Sequence, residues 1–246
     1  MKAARKLIFG VVGIAIIGLA AFLVWWFAIK ADPKPRLSAK DLDKGLAGKT
    51  SSTSGAGRGG VDGSWAISTD STVGYRIKES IGGALESEAV GRTSAVTGNL
   101  AISGTSVATG TFSVDVATIK SDQSFRDTQM NRLMDTTKFP KATFTLKQPI
   151  SLGKTPADGV TAKYTATGDL TLHGTTKPVT FPVDAKITNG RIGVLGNIPV
   201  TFTDYGVDNP SNSITTVGTR GLSSSCWSST GNNRSRTGPI HGLFVE

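Results

Sequence analysis

The tightest constraint on this chain is a two-residue rhythm of apolar side chains that begins near Trp65 and runs to about Phe202. Val73, Tyr75 and Ile77 alternate with Gly74, Arg76 and Lys78, and Phe112, Val114 and Val116 alternate with Ser113 and Asp115. Ala142, Phe144 and Leu146 alternate with Thr143, Thr145 and Lys147. The longest sets are Tyr164, Ala166, Gly168, Leu170 and Leu172, then Val179, Phe181, Val183, Ala185 and Ile187. Val96, Leu100 and Ile102 form a shorter set, as do Ile198, Val200 and Phe202. A period of two sends alternate side chains to opposite faces of a strand, so one face can be buried while the other stays wet. Many such strands separated by Gly-rich turns predict an all-β antiparallel barrel or sandwich. One stretch, residues 121–134, breaks the rhythm and predicts a short helix that ends before Lys138-Phe139-Pro140. Phe125, Met130 and Leu133 are its expected packing residues, covering one end of the barrel.

Charge is distributed unevenly around this core. Residues 1–60 carry ten Lys/Arg against three Asp/Glu, residues 61–218 carry 14 of each, and residues 219–246 carry three Arg against Glu246. The net +9 therefore sits outside the alternating region, which is neutral. A nucleic-acid-binding domain concentrates positive charge on its folded part, so nucleic acid is disfavoured as a partner.

The basic amino-terminal region flanks 23 uncharged residues, 7–29, ending near Trp25 and Trp26. At about 1.5 Å per residue, a helix of that length spans a hydrocarbon layer of roughly 30 Å. A cleaved signal peptide has a shorter apolar region, so an uncleaved single-pass anchor fits better. Lys2, Arg5 and Lys6 before it suit an amino terminus inside, whereas Lys30, Lys34, Arg36, Lys40 and Lys44 after it favour the opposite topology. Residues 31–62, with Pro33, Pro35 and a Gly/Ser-rich run, read as a flexible linker.

Little in the chain suggests catalysis. A lone Cys excludes a disulfide framework and a multi-cysteine metal centre, and two histidines, His173 and His241, leave no metal site and no cofactor in view. Asp169 and His173 tempt toward acid–base chemistry, but positions i and i+4 of one strand lie about 13 Å apart. His173 before Gly174 suits a turn, with its imidazole bonded to backbone. An enzyme acting on a lipid-like substrate through His173, Asp169 or Arg126 stays as one alternative, and a ligand-free envelope domain with a filled barrel as another.

Several blocks resemble a known family. Phe125-Arg126-Asp127, the run from Thr137 to Phe144, and Gly168-Asp169-Leu170-Thr171-Leu172-His173-Gly174 through Val179 are similar to the signature blocks of YceI-like bacterial lipid-binding proteins. So are Trp65-Ala66-Ile67 and Thr72-Val73-Gly74-Tyr75, and the blocks keep the same order over about residues 63–210. The resemblance implies an antiparallel lipocalin-like β-barrel that holds a polyisoprenoid or similar amphiphile, on the outer side of the cytoplasmic membrane. A single transmembrane helix would precede it.

The expected ligand contacts are then Phe112, Val114, Phe144, Leu146, Tyr164, Leu170, Leu172, Phe181 and Phe202, with Arg126, Asp127 and His173 as headgroup or structural polar residues. Homodimer formation is left open. Burying an isoprenoid yields roughly 0.8 kcal/mol per CH₂-sized unit, so an apolar tube supplies affinity without catalytic groups. Residues 219–246, rich in Ser, Asn and Arg and without a period, read as a disordered or frame-shifted tail. The final barrel strand would then be short or missing. The expected organisation is an anchor at 1–30, a linker at 31–62, a barrel at 63–218 and a tail at 219–246.

Overall fold

A computed structural model describes residues 16–20, 22, 35–47, 61–81, 85–154, 156–208, 215–222, 225–229 and 237–241. The chain forms two units, Met1–Lys34 and Pro35–Glu246. In the first, residues 16–20 and 22 are helical and exposed. Among the described residues no helix is long and apolar enough to cross a membrane, and most of the 7–29 segment lies outside them.

The second unit is built from strands. The first five are β1 (Gly63–Ser68), β2 (Val73–Ile81), β3 (Leu85–Thr93), β4 (Val96–Ser103) and β5 (Ser106–Asp115). After a helix, Ser124–Leu133, come β6 (Lys141–Leu146), β7 (Ile150–Ser151), β8 (Thr161–Leu172), β9 (Thr175–Thr188) and β10 (Arg191–Gly196). The last are β11 (Pro199–Thr201), β12 (Thr215–Leu222), β13 (Ser225–Ser229) and β14 (Thr237–His241). One sheet has the order β4-β1-β14-β13-β10-β9-β8-β6-β5-β7, and β4 also pairs with β5, so the sheet curls back onto itself. A smaller sheet, β11-β12-β2-β3, supplies further core residues. Among the described residues all ladders are antiparallel except that between β1 and β14.

The alternation explains why these strands pair in one register. The β8–β9 hairpin matches Thr161 with Lys186 and ends with Leu172 opposite Thr175. A slip of one residue would turn Ala166, Leu170, Phe181 and Val183, all buried, toward water. His173 and Gly174 close this hairpin at φ +49° and +74°, the backbone a two-residue turn needs to match strand twist.

At three places the structure adds to the sequence reading. The reading of residues 31–62 as flexible linker misses a helix, Ala39–Ala47, whose Leu42 and Leu46 are buried and pack against Leu195 of β10. Ser38 caps it, its backbone N–H and its hydroxyl each donating to Asp41 Oδ2 at 2.9 Å. Lys186 donates to Asp43 at 2.5 Å, and Arg191 Nη1 donates to the Leu46 carbonyl at 3.1 Å. A leucine pair at i and i+4 behind a capping box is enough to seat a short helix in an otherwise polar segment.

The second is the tail, of which residues 223–224, 230–236 and 242–246 lie outside the described residues. β12 runs to Leu222, and β13 and β14 fill the gap between the edges of β10 and β1. Ladder bonds use backbone groups, so a segment with no side-chain period still pairs where two sheet edges lack partners. The third concerns Phe125, which is 70% exposed, while Met130 and Leu133 pack on the core and Met134 is buried. At 100° per residue, Phe125 lies 180° around the helix from Met134, so it faces out when the methionines face in.

Candidate functional site

The barrel interior is hollow. A cavity of about 250 Å³ lies among side chains of both sheets and of the Ser124–Leu133 helix. That is many times the ~30 Å³ share of one water molecule, and close to the lower end of ligand pockets at about 300 Å³. Among the described residues its wall is apolar apart from the two tyrosines, Tyr75 and Tyr164. The structure brings all nine residues expected from sequence, Phe112, Val114, Phe144, Leu146, Tyr164, Leu170, Leu172, Phe181 and Phe202, onto that wall. Eight come from strands, and Phe202 comes from a 3-10 turn, Phe202–Tyr205.

Strand register assembles the centre of the wall. Phe112 of β5 sits opposite Phe144 of β6, and Phe144 opposite Leu170 of β8. The Phe112 and Phe144 rings stack at 6.3 Å, and Phe144 meets Phe181 edge-on at 5.3 Å. Gly168 makes room for this cluster. A Cβ there would come within 2.5 Å of the Phe144 ring and 2.3 Å of the Thr145 carbonyl oxygen.

Beside the helix, outside the cavity wall, the chemistry changes. Arg126 pairs with Asp122 on its own helix and with Glu79 of β2 at 3.5 Å. Asp127 is buried and accepts from the Ser121 backbone N–H and hydroxyl, each at 2.7 Å, with the Lys120 ammonium 3.7 Å away. Burial alone would raise the Asp127 carboxyl, but the Ser121 bonds and the Lys120 charge outweigh it and hold the group below the usual carboxylate range. Both residues singled out from sequence thus have protein partners.

Sequence reasoning missed Tyr75 as a site residue. Its ring lines the cavity beside Ile119, directly opposite Gly91 in the β2–β3 ladder. A Cβ on Gly91 would approach the ring to 2.5 Å, so only a residue without a side chain leaves room for the phenol. The Tyr75 hydroxyl is buried and has no hydrogen-bond partner among the described residues. Desolvation pushes this phenol well above its ordinary range, Arg126 opposes the shift, and Asp127, Glu79 and Asp122 add to it. It is a protonated donor at neutral pH.

The remaining polar candidates are occupied elsewhere. His173 Nδ1 donates to the Tyr205 carbonyl at 3.2 Å, and its ring meets Phe139 edge-on at 4.8 Å. Asp169 pairs with Lys147 at 3.2 Å, and its parity in β8, opposite to that of Leu170, turns it away from the cavity. His173, Asp169 and Arg126 therefore each hold a different structural contact.

The domain model of the YceI-like domain matches residues 65–221. The chain belongs to the YceI-like family. Among solved structures, a polyisoprenoid binding domain from Saccharophagus degradans, implicated in plant cell wall breakdown, shares the fold at TM-score 0.50 and 14% identity, over 64% of this chain and 92% of that one. BcnA of Burkholderia cenocepacia is similar at TM-score 0.46 and 20% identity, over 60% and 91%. Comparison with curated proteins gives no match. Within this YceI-like chain the matched region runs from Trp65 in β1 to Gly221 in β12.

Proposed function

We propose that this protein binds a polyisoprenoid or a similar long apolar amphiphile inside its barrel, and holds or shuttles it at the cell envelope. The observation that carries this reading is the hollow itself. A core of this size would ordinarily be filled to crystal-like density, and a void lined by aromatic and aliphatic groups forfeits contacts that a bound chain restores. Phe112, Phe144, Leu170 and Phe181 would make the central contacts. The ligand named for the Saccharophagus degradans domain has the same chemistry as this wall.

In the same proposal, residues 7–29 anchor the protein as a single-pass segment and the barrel works on the extracytoplasmic side, close to the lipid it takes up. Binding needs no catalytic group, because transfer of each CH₂ from water contributes roughly 0.8 kcal/mol. The test is to purify the full chain, extract it with organic solvent and identify the released lipid by mass spectrometry, then reload the stripped protein. Stoichiometric release of an isoprenoid-class amphiphile is the expected result. A native protein that carries no lipid and takes none up afterwards overturns the reading. Protease treatment of intact cells tests the orientation separately, and protection of the barrel would place it inside.

A further inference from the structure

One side of the Ser124–Leu133 helix serves the cavity, and the other is bare. Met130 lines the cavity, as does Met134 just past the helix, whereas Phe125 on the far side is 70% exposed. Among the described residues of the second unit, the large apolar side chains left exposed are Phe125 and Val160. They mark opposite ends of the barrel. Val160 directly precedes β8, whose 12 residues lead to the His173–Gly174 turn, where the His173 ring meets Phe139 just beyond the helix. A strand of that length covers roughly 40 Å.

The amino-terminal chain joins the domain at the end that carries Phe125. The Pro35 carbonyl accepts from Arg92 Nη2 at 2.7 Å, and Arg92 exchanges backbone hydrogen bonds with Lys120, both at 2.9 Å. Lys120 in turn pairs with Asp127 in the first turn of the helix. The apolar segment 7–29 ends six residues before Pro35. Six residues fully extended reach roughly 20 Å, so a barrel anchored by that segment keeps this end near the bilayer whatever path the chain takes. Charge does not select the surface it meets, because Glu79, Asp122 and Asp127 are already paired with Arg126 and Lys120. What this end offers is a ring.

We propose that the first turn of the Ser124–Leu133 helix docks on a lipid bilayer, with Phe125 inserted at the boundary between headgroups and acyl chains. A short tether raises the local concentration of a second contact to the millimolar range, so one inserted ring is enough to orient the barrel. The proposal rests on the anchored reading given above and adds the surface through which the barrel meets the membrane. A helix is about 10–12 Å across, so docking brings the cavity-lining Met130 within one helix diameter of the lipid.

The experiment reconstitutes the full chain, carrying Cys226→Ser, into phosphatidylcholine vesicles. An environment-sensitive dye is attached through Phe125→Cys or, as a control on the exposed face of β9, through Thr180→Cys. The dye at 125 should shift to the blue and be quenched by bromine on the acyl chains, and the dye at 180 should do neither. In unlabelled protein, Phe125→Ser should slow uptake of a fluorescent geranylgeranyl hydrocarbon from the vesicles about tenfold, the worth of partly burying one ring. Its final stoichiometry should not change, since Phe125 does not line the cavity. Anionic lipid should alter neither readout, and a requirement for it overturns the assignment to Phe125. A dye at 125 that stays in water, in protein that remains with the vesicles through an alkaline wash, overturns the docking and leaves the anchor standing. Protein stripped by that wash has no anchor, and the docking falls with it. An uptake rate unmoved by Phe125→Ser, or a stoichiometry that drops, also overturns the proposal. Wild-type protein that buries the dye at 125 but takes up no hydrocarbon supports the docking surface and removes the lipid-binding reading alone.

Discussion

The cavity wall and the polar cluster beside the helix follow opposite rules of construction. In the wall, Phe112, Phe144, Leu170 and Phe181 are held by strand register and mutual contact, with nothing that must be matched atom by atom. Beside the helix, Arg126, Asp122, Glu79, Asp127, Ser121 and Lys120 are matched donor to acceptor, and the loss of one strands another. Apolar walls tolerate change that preserves volume, whereas buried polar networks tolerate almost none.

The largest effect should come from moving the second rule into the first region. Phe144→Asp removes a ring from the aromatic cluster and places an unpaired carboxylate among apolar side chains, which should cost about 4 kcal/mol or more and abolish lipid retention. Urea denaturation followed by lipid extraction measures both. A folded Phe144→Asp protein that carries lipid at wild-type stoichiometry would sink the assignment of the wall.

Crowding the same spot is milder. Gly168→Ala pushes a methyl onto Phe144 and the Thr145 carbonyl, and should destabilise by about 2–3 kcal/mol. Adding Phe144→Leu should recover part of that loss, since the backbone carbonyl still crowds the methyl. Full additivity of the two changes would show that Gly168 and Phe144 are not coupled.

In the polar cluster, Asp127→Asn should cost about 1–3 kcal/mol at neutral pH. The folded-state pKa of Asp127 lies below its unfolded value, so its charge contributes stability above about pH 4 that is lost as pH falls through the folded pKa. The gap between wild type and Asp127→Asn should therefore narrow on acidification. A gap that widens toward low pH would mean the carboxylate is not held by Ser121 and Lys120 as described.

The smallest change belongs to the β8–β9 turn. His173→Asn deletes the bond to the Tyr205 carbonyl but tolerates the positive φ, so it should cost about 1 kcal/mol. Lipid retention should not change. If it disappears in a folded protein, the imidazole reaches the ligand and its role is not confined to the turn.

What could be read from sequence follows the same division. Alternation is a property of each strand alone, so the inward residues of β5, β6, β8 and β9 were legible before any pairing was known. The setting of Tyr75 was not, because it is defined by residues distant in the chain, Gly91 and Ile119. Phe125 misled because ten helical residues offer too few turns to fix a face by inspection. The Ala39–Ala47 helix did leave a signal, Ser38 three residues before Asp41 with leucines at 42 and 46, but the polar composition around it argued for a coil. β13 and β14 left none, since their pairing depends on edges elsewhere in the sheet.

That early helix also changes how a mechanical load enters the domain. A pull from the amino-terminal side meets the Pro35 carbonyl, which accepts from Arg92 at 2.7 Å, and then Arg36, which holds Glu88 at 3.3 Å. Beyond these come Asp43 on Lys186, Leu46 on Arg191 and Leu42 beneath Leu195. The tension is thus divided among β3, β9 and β10 before any of it reaches β1. Without this clamp, the same force would prise β1 from its place between β4 and β14 and open the barrel along a seam.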